Sequence, residues 1–342
     1  MPCFSLTQSK NSCHRSTFAR AGLRSAITDL KDGATTMHCW VPQSPNPSKP
    51  NLLLIHGLGL NAMWQFVDLL RHVTPHYNVY VPDLVFFGDS YTTRPDRSES
   101  FQAECVMQAM EAHSVRRLSL VGLSYGGFVA YSLAARYKEA VERVVICCAA
   151  VCLEEKDLQE GAFRISDLDE AAGILTPQTP QKLRELVRYT FFRPPPVGLL
   201  PSCLLMDFIE AMFTEFVQEK KELIRAVPQN RKLSELPKIP QPLHKMGVRL
   251  ADIHLSQTLR KAGALCTGYD LKSLGRSLFW VLNSLEKHRH VGENAQLVVI
   301  KDAGHALNAE KPKEYHKHIK SFLVDSLPRS PPITPSAIPV TH

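Results

Sequence analysis

A sharp reversal of the chain is written into Gly122-Leu123-Ser124-Tyr125-Gly126. Residues 118–121 before it form an apolar run of the length of a buried strand, and Phe128, Tyr131, Ala134 and Ala135 after it recur at helical spacing. Glycines two places either side of the serine let strand and helix approach closely, with the serine itself held in a strained conformation. A strand–serine–helix turn puts a hydroxyl at the carboxyl edge of a parallel sheet, where open α/β sheets bind their ligands.

The flanking sequence alternates as such a sheet requires. After the proline-rich residues 42–50, residues 52–55 (Leu-Leu-Leu-Ile) read as a fully buried strand that ends in His56-Gly57-Leu58-Gly59. Asn61 is placed to cap a helix whose Phe66, Leu69, Leu70 and Val73 share one face. Further strands are expected at 79–81 and 143–150, and a helix at about 101–113. The fold class is therefore α/β, a mostly parallel sheet flanked by helices on both faces. From Cys152 to Leu236 the pattern turns helical, with segments marked by Leu183, Leu186, Val187 and Phe191 and by residues 204–217. An inserted, Phe- and Leu-rich helical segment predicts a lid over an apolar substrate, although most of these side chains must simply pack it onto the core. The sheet resumes at 296–300, and a helix at about 313–324 closes the domain. The expected organisation is an N-terminal arm (1–40), a core (41–150 and 237–327), a helical lid (151–236) and a disordered tail (328–342) carrying five prolines.

Forty-four per cent apolar residues suffice for a large core, and the net charge of +7 is scattered without a basic block, which argues against nucleic acid as partner. Peripheral contact with an anionic membrane surface stays open, and nothing sets the oligomeric state. Nine cysteines without a Cys-x-x-Cys pair read as reduced core residues. No run is long enough to span a bilayer and no secretory core follows Met1, so a soluble cytoplasmic protein is expected. Residues 1–28 hold Lys10, Arg15, Arg20 and Arg24 and no acidic residue. That is the composition of a transit peptide to a chloroplast or other organelle, or of an arm or short helix beside the core.

A serine hydroxyl needs a base within hydrogen-bond reach and a third group to orient that base. Among fourteen histidines His305, in Asp302-Ala303-Gly304-His305-Ala306 after a buried strand, belongs at the same edge as Ser124, whereas His316 and His318 fall on a polar face. The backbone N–H groups of Leu58 and Tyr125 are candidates for an oxyanion hole. His56 reads as a turn-stabilising residue. No metal or organic cofactor is implied.

The motifs His56-Gly57-Leu58-Gly59, Asp83-Leu84 with Phe87-Gly88-Asp89-Ser90, the elbow and Gly304-His305 together resemble the α/β-hydrolase superfamily. Between the motifs, residues 51–150 and 291–323 are similar to lid-bearing plant α/β-hydrolases described as esterase or lipase-like. Serine at the elbow, where epoxide hydrolases and dehalogenases of this fold carry aspartate, implies hydrolysis of a small apolar ester. The resemblance also implies an acid after a strand ending in Trp-Gly-x-x-Asp, roughly 28 to 30 residues before the histidine. No such strand is read here, and the position about 29 residues before His305 is Arg276. Residues 242–290 depart from the family wording altogether. A rebuilt loop could present Asp270, or second Asp252; the acid could be lost; or the stretch could be translated in a wrong frame or across an intron. Asp302 reads as a surface residue. Losing the acid alone costs about 10⁴-fold in rate in other serine hydrolases. The expectation is a serine carboxylesterase or lipase-like enzyme working through an acyl-enzyme. The alternatives are a small-molecule binding protein, a C–C bond hydrolase or acyltransferase, and a chain that does not fold.

Overall fold

The computed structural model describes residues 5–159, 167–248, 291–292 and 294–325. Its strands are β1 (Leu23–Asp29), β2 (Thr35–Pro42), β3 (Asn51–Ile55), β4 (Asn78–Pro82), β5 (Tyr91–Thr92), β6 (Leu118–Leu123), β7 (Val141–Cys147), β8 (Leu243–Val248) and β9 (Ala295–Ile300). They form one sheet in the order β1-β2-β4-β3-β6-β7-β8-β9, with β5 paired to β2. From β4 to β9 every pairing is parallel, while β1, β2 and β5 add an antiparallel margin.

Strand β3 shows why the sheet is covered on both sides. Its Leu53 and Ile55 belong to one apolar core with Leu120 and Ile146, and its Leu52 and Leu54 to a second with Val121 and Val145. A period of two with apolar residues at every position requires helices on both faces. The second core takes in α1 (Leu6–Arg20) through Phe18, and α2 (Ala62–Val73) through Phe66, Leu69, Leu70 and Val73. Asn61 caps α2 by accepting from the Trp64 N–H. The first core takes in α3 (Glu99–Ala112), capped by Ser98, and α4 (Tyr125–Arg136).

Between β7 and β8 the chain forms α5 (Glu155–Gln159), α6 (Leu168–Leu175), α7 (Pro180–Thr190), α8 (Ser202–Met212) and α9 (Val217–Ala226). Leu183, Leu205, Ile209 and Phe213 make a small core of their own, and Leu223 joins the main one. The helix expected over 204–217 stops at Met212, and α9 begins only at Val217 after a left-handed Phe216 (φ 52°). After β9 come α10 (Leu307–Glu310) and α11 (Pro312–Leu323).

Three expectations are corrected. The N-terminal segment is the helix beside the core and not the arm of the expected organisation: residues 5–40 supply α1, β1 and most of β2, and Phe18 is fully buried against Trp40 with ring centroids 5.1 Å apart. The chain does fold into a continuous sheet. The strand judged missing before the acid is present as β8, with Met246 opposite Cys147 on one side and Val298 on the other. His244, Lys245 and Gly247 break its apolar pattern, yet Leu243 and Met246 are buried and the His244 ring stacks on Phe322 at 5.0 Å. The tail from 328 lies outside the described residues.

Candidate active site

Ser124 links β6 to α4 with φ 55° and ψ −121°, a conformation that side-chain-bearing residues adopt only under constraint. The constraint is visible on every side. The Ser124 N–H donates to the Cys147 carbonyl of β7 at 2.8 Å, and its own carbonyl accepts from the Gly127 N–H at 2.8 Å. A Cβ at Gly126 would lie 2.2 Å from the Ile55 carbonyl oxygen, and one at Gly122 would lie 2.3 Å from the Gly126 carbonyl. Gly57 faces the serine itself, since a Cβ there would meet Ser124 Cβ at 2.7 Å. Glycine at these positions is a steric requirement of the elbow and of the turn opposite it.

Five residues after β9, His305 brings Nε2 to 2.8 Å from Ser124 Oγ. The two residues are 181 positions apart and share no element, so the parallel sheet alone brings them to one edge. The loop carrying the histidine is stitched to the helical insertion. The Glu310 carboxylate accepts from the Gly304, Phe192 and Arg193 N–H groups at 2.5, 3.0 and 2.8 Å, and the Ala306 N–H donates to Thr190 O at 2.9 Å. Burial pushes the His305 pKa below the usual imidazole value, which favours the neutral ring a general base requires. Among the described residues no carboxylate bonds this ring. Asp270 and Asp252 both lie outside the described residues. Asp302 is exposed, at a left-handed turn of the same loop.

Tyr125 opens α4, so its N–H is among those a helix leaves without an intrahelical acceptor. Leu58 follows Gly57 in the turn that faces Ser124, and its N–H has no acceptor among the described residues. Gln65 holds that turn: its Oε1 accepts from the Gly57 N–H at 2.8 Å, and its Nε2 donates to Gly57 O and Leu60 O at 3.1 and 2.9 Å. His56 is fully buried; its Nε2 accepts from the Leu84 N–H at 2.9 Å, which leaves Nδ1–H to donate to Gly57 O at 2.8 Å. Both ring nitrogens are thus committed to the backbone, as a turn-stabilising residue requires. Gln65 and Glu310 carry no motif, and their only sequence signal is a polar residue near a site-bearing turn.

The model of the alpha/beta hydrolase family matches residues 52–317. An uncharacterized protein of Mycobacterium tuberculosis is 30% identical over 132 residues, 37% of this chain and 37% of that protein. A pimeloyl-[acyl-carrier protein] methyl ester esterase of Pectobacterium carotovorum is 29% identical over 119 residues, 34% of this chain and 43% of that protein. The match thus spans well under half the length of these relatives. Among solved structures, a bacterial membrane phospholipase A superposes with a TM-score of 0.68 at 25% identity, covering 93% of this chain and 90% of that one. The epoxide hydrolase CorEH (TM-score 0.61, 16% identity, 88% and 98% covered) and an esterase from Thermogutta terrifontis (0.60, 16%, 88% and 98%) share the fold. Their different chemistries on one scaffold leave the reaction to be argued from the site.

Proposed function

The chain belongs to the alpha/beta hydrolase family, and from that premise we propose that it hydrolyses apolar carboxylic esters through a Ser124 acyl-enzyme. The observation that carries this reading is the 2.8 Å contact between His305 Nε2 and the hydroxyl of a strained elbow serine. Ser124 Oγ attacks the ester carbonyl as His305 takes its proton, and the oxyanion is held by the Leu58 and Tyr125 amides. His305 then protonates the leaving alkoxide, and a water activated by the same ring releases the acid. The insertion 151–236 acts as the lid: Met212 and Phe213 line a pocket together with Leu58 and Phe87 of the core.

A fluorophosphonate probe followed by peptide mass spectrometry tests the reading. Labelling is expected at Ser124, to collapse in His305→Ala, and ester turnover is expected to vanish in Ser124→Ala without loss of fold. A built-in control exists elsewhere in the molecule. Ser25 Oγ is 2.9 Å from His38 Nε2, whose Nδ1 is 2.8 Å from Asp83 Oδ2, but Ser25 lies mid-strand in β1 with no elbow beside it. Asp83 is engaged structurally, also accepting from the Ala62 N–H, so Ser25 should stay unlabelled. A cooperatively folded protein that is not labelled at all would instead favour a binding protein, the reading suited to an imidazole with no carboxylate beside it among the described residues.

A further inference from the structure

Two lysine or arginine side chains among the described residues are buried, and they are treated differently by the fold. Arg231 pairs with Glu99 and donates to Val151 O at 2.6 Å. Lys220, on α9 and 7% exposed, has an ammonium with neither a salt bridge nor a hydrogen bond among the described residues; the Glu215 and Glu219 carboxylates act on it only at longer range. Its Nζ lies 4.9 Å from the centre of the Phe87 ring. A cation held away from water costs several kcal/mol unless paired, and one aromatic face offsets only part of that.

The place of this ammonium points to its use. Lys220 lines a pocket with Leu58 and Gly59 of the oxyanion turn, Phe87, Thr176 and Phe213. The Phe87 ring in turn meets the buried His56 edge-on at 4.9 Å, so the cation stands one ring away from the turn that faces Ser124. The other walls are apolar apart from Thr176, whose hydroxyl already donates to Ala172 O at 2.7 Å. The pocket offers about 10 Å³, room for roughly one water. A dianionic phosphate would need several donors, whereas a single ammonium in an apolar wall suits a monovalent carboxylate.

We propose that Lys220 forms a subsite for a carboxylate carried by the substrate, so that the preferred esters are half-esters of dicarboxylic acids rather than neutral esters. This inference rests on the ester-hydrolase reading above and assigns its substrate class. Burial holds the free lysine at about 8, below the usual range, and a bound carboxylate would raise it again. Selectivity for the anionic ester should therefore be present at pH 7 and fade as pH rises past that value.

The test compares 4-nitrophenyl hexanoate with the 4-nitrophenyl half-ester of adipic acid, which differ by the terminal carboxylate. The readout is the ratio of their kcat/KM values, in which any general loss of activity cancels. In the parent enzyme the ratio should favour the half-ester by on the order of 10- to 100-fold, the worth of one hydrogen bond to a charged group. Lys220→Met should abolish the preference and raise Tm, because an apolar chain of similar length replaces an unpaired buried cation; Lys220→Arg should keep part of the preference. A parent with no preference, or a Lys220→Met variant that keeps it, overturns the proposal. A binding arm separates this from failure of the esterase reading. Adipic acid monoamide, which is not an ester, should raise the Tm of the parent and of Ser124→Ala more than hexanamide does, and lose that advantage in Lys220→Met. If neither ester turns over, an equal effect of the two amides still refutes the subsite.

Discussion

Glu310 is the residue whose removal separates positioning from packing at this site. Its carboxylate collects three backbone N–H groups, two from the insertion (Phe192 and Arg193) and one from the turn before His305 (Gly304), at 3.0, 2.8 and 2.5 Å. Substitution by alanine deletes all three acceptors. Arg193 is exposed and Phe192 partly so, and water can take over there, but Gly304 is buried. Leaving one buried N–H without a partner costs about 1–3 kcal/mol, and two partly solvated charge-assisted bonds add about 1 kcal/mol. Glu310→Ala should therefore lose about 2–4 kcal/mol of unfolding free energy in urea titration. The kinetic effect follows from geometry: with Gly304 released, the His305 ring loses its registration on Ser124, and a displacement of about 1 Å costs on the order of 10²-fold. The expected result is a fall in kcat of that size on a chromogenic ester, with KM little changed, and slower fluorophosphonate labelling. Glu310→Gln should fall between, since its amide keeps one acceptor oxygen and places an NH₂ against a donor. A variant destabilised as expected but with parental kcat would refute the positioning role and leave Glu310 as a clamp for the insertion alone.

Further outcomes follow from the same structure. Because burial holds His305 below 6.5 and the neutral ring is the base, kcat/KM should rise with pH to a half-point below 6.5 and stay flat through neutrality; a half-point at or above 6.5 contradicts the assignment. The sign for stability matches: buried His305 and His56 both have depressed values, so the unfolded chain binds more protons, and stability should be lost as pH falls below 6.5. Gly126→Ala, whose Cβ would lie 2.2 Å from the Ile55 carbonyl oxygen, should cost about 3 kcal/mol or more in thermal unfolding; parental stability would show that the elbow can relax. Phe18→Ala empties a fully buried site beside Trp40 and should cost about 3–5 kcal/mol, and deletion of residues 1–21 at least as much. Unchanged stability of the deletion would return that segment to the status of a removable leader.

What could be read from sequence was what local patterns encode. The elbow, the caps at Asn61 and the strand ends before His56 and His305 depend on a few neighbouring residues, and their structural positions agree with the sequence expectations. Strand β8 was invisible because its half-polar pattern, His-Lys-Met-Gly, is tolerated only between two parallel neighbours that satisfy its backbone. The N-terminal segment is hard to read for a related reason: β1 buries only Leu23 and leaves its other residues exposed or half-buried, as a margin strand does, and the basic residues of α1 draw attention from Phe18, the one large side chain anchoring that helix in the core. Glu310 and Gln65 act through neighbours 5 to 118 residues away and Lys220 through a pocket wall, and no spacing rule announces such roles.

The presence of β8 also changes how the triad acid should be sought. In a parallel sheet each strand delivers its following loop to the same edge, and β8 stands beside β7, which follows the Ser124 elbow, and β9, which leads to His305. The chain leaves β8 at Val248, so Asp252 is four residues beyond the strand and Asp270 twenty-two. Four extended residues reach about 13–14 Å, enough for a carboxylate to approach an imidazole at the neighbouring strand end. Asp252→Asn and Asp270→Asn, compared by kcat under conditions where both variants remain folded, decide between them. The orienting acid should cost about 10⁴-fold on substitution, and the other should be near neutral. Both residues lie outside the described ones, so the larger loss identifies the acid. If neither variant loses activity while Ser124→Ala does, His305 works without an aspartate from this segment, and the burial that keeps its ring neutral must suffice for proton transfer.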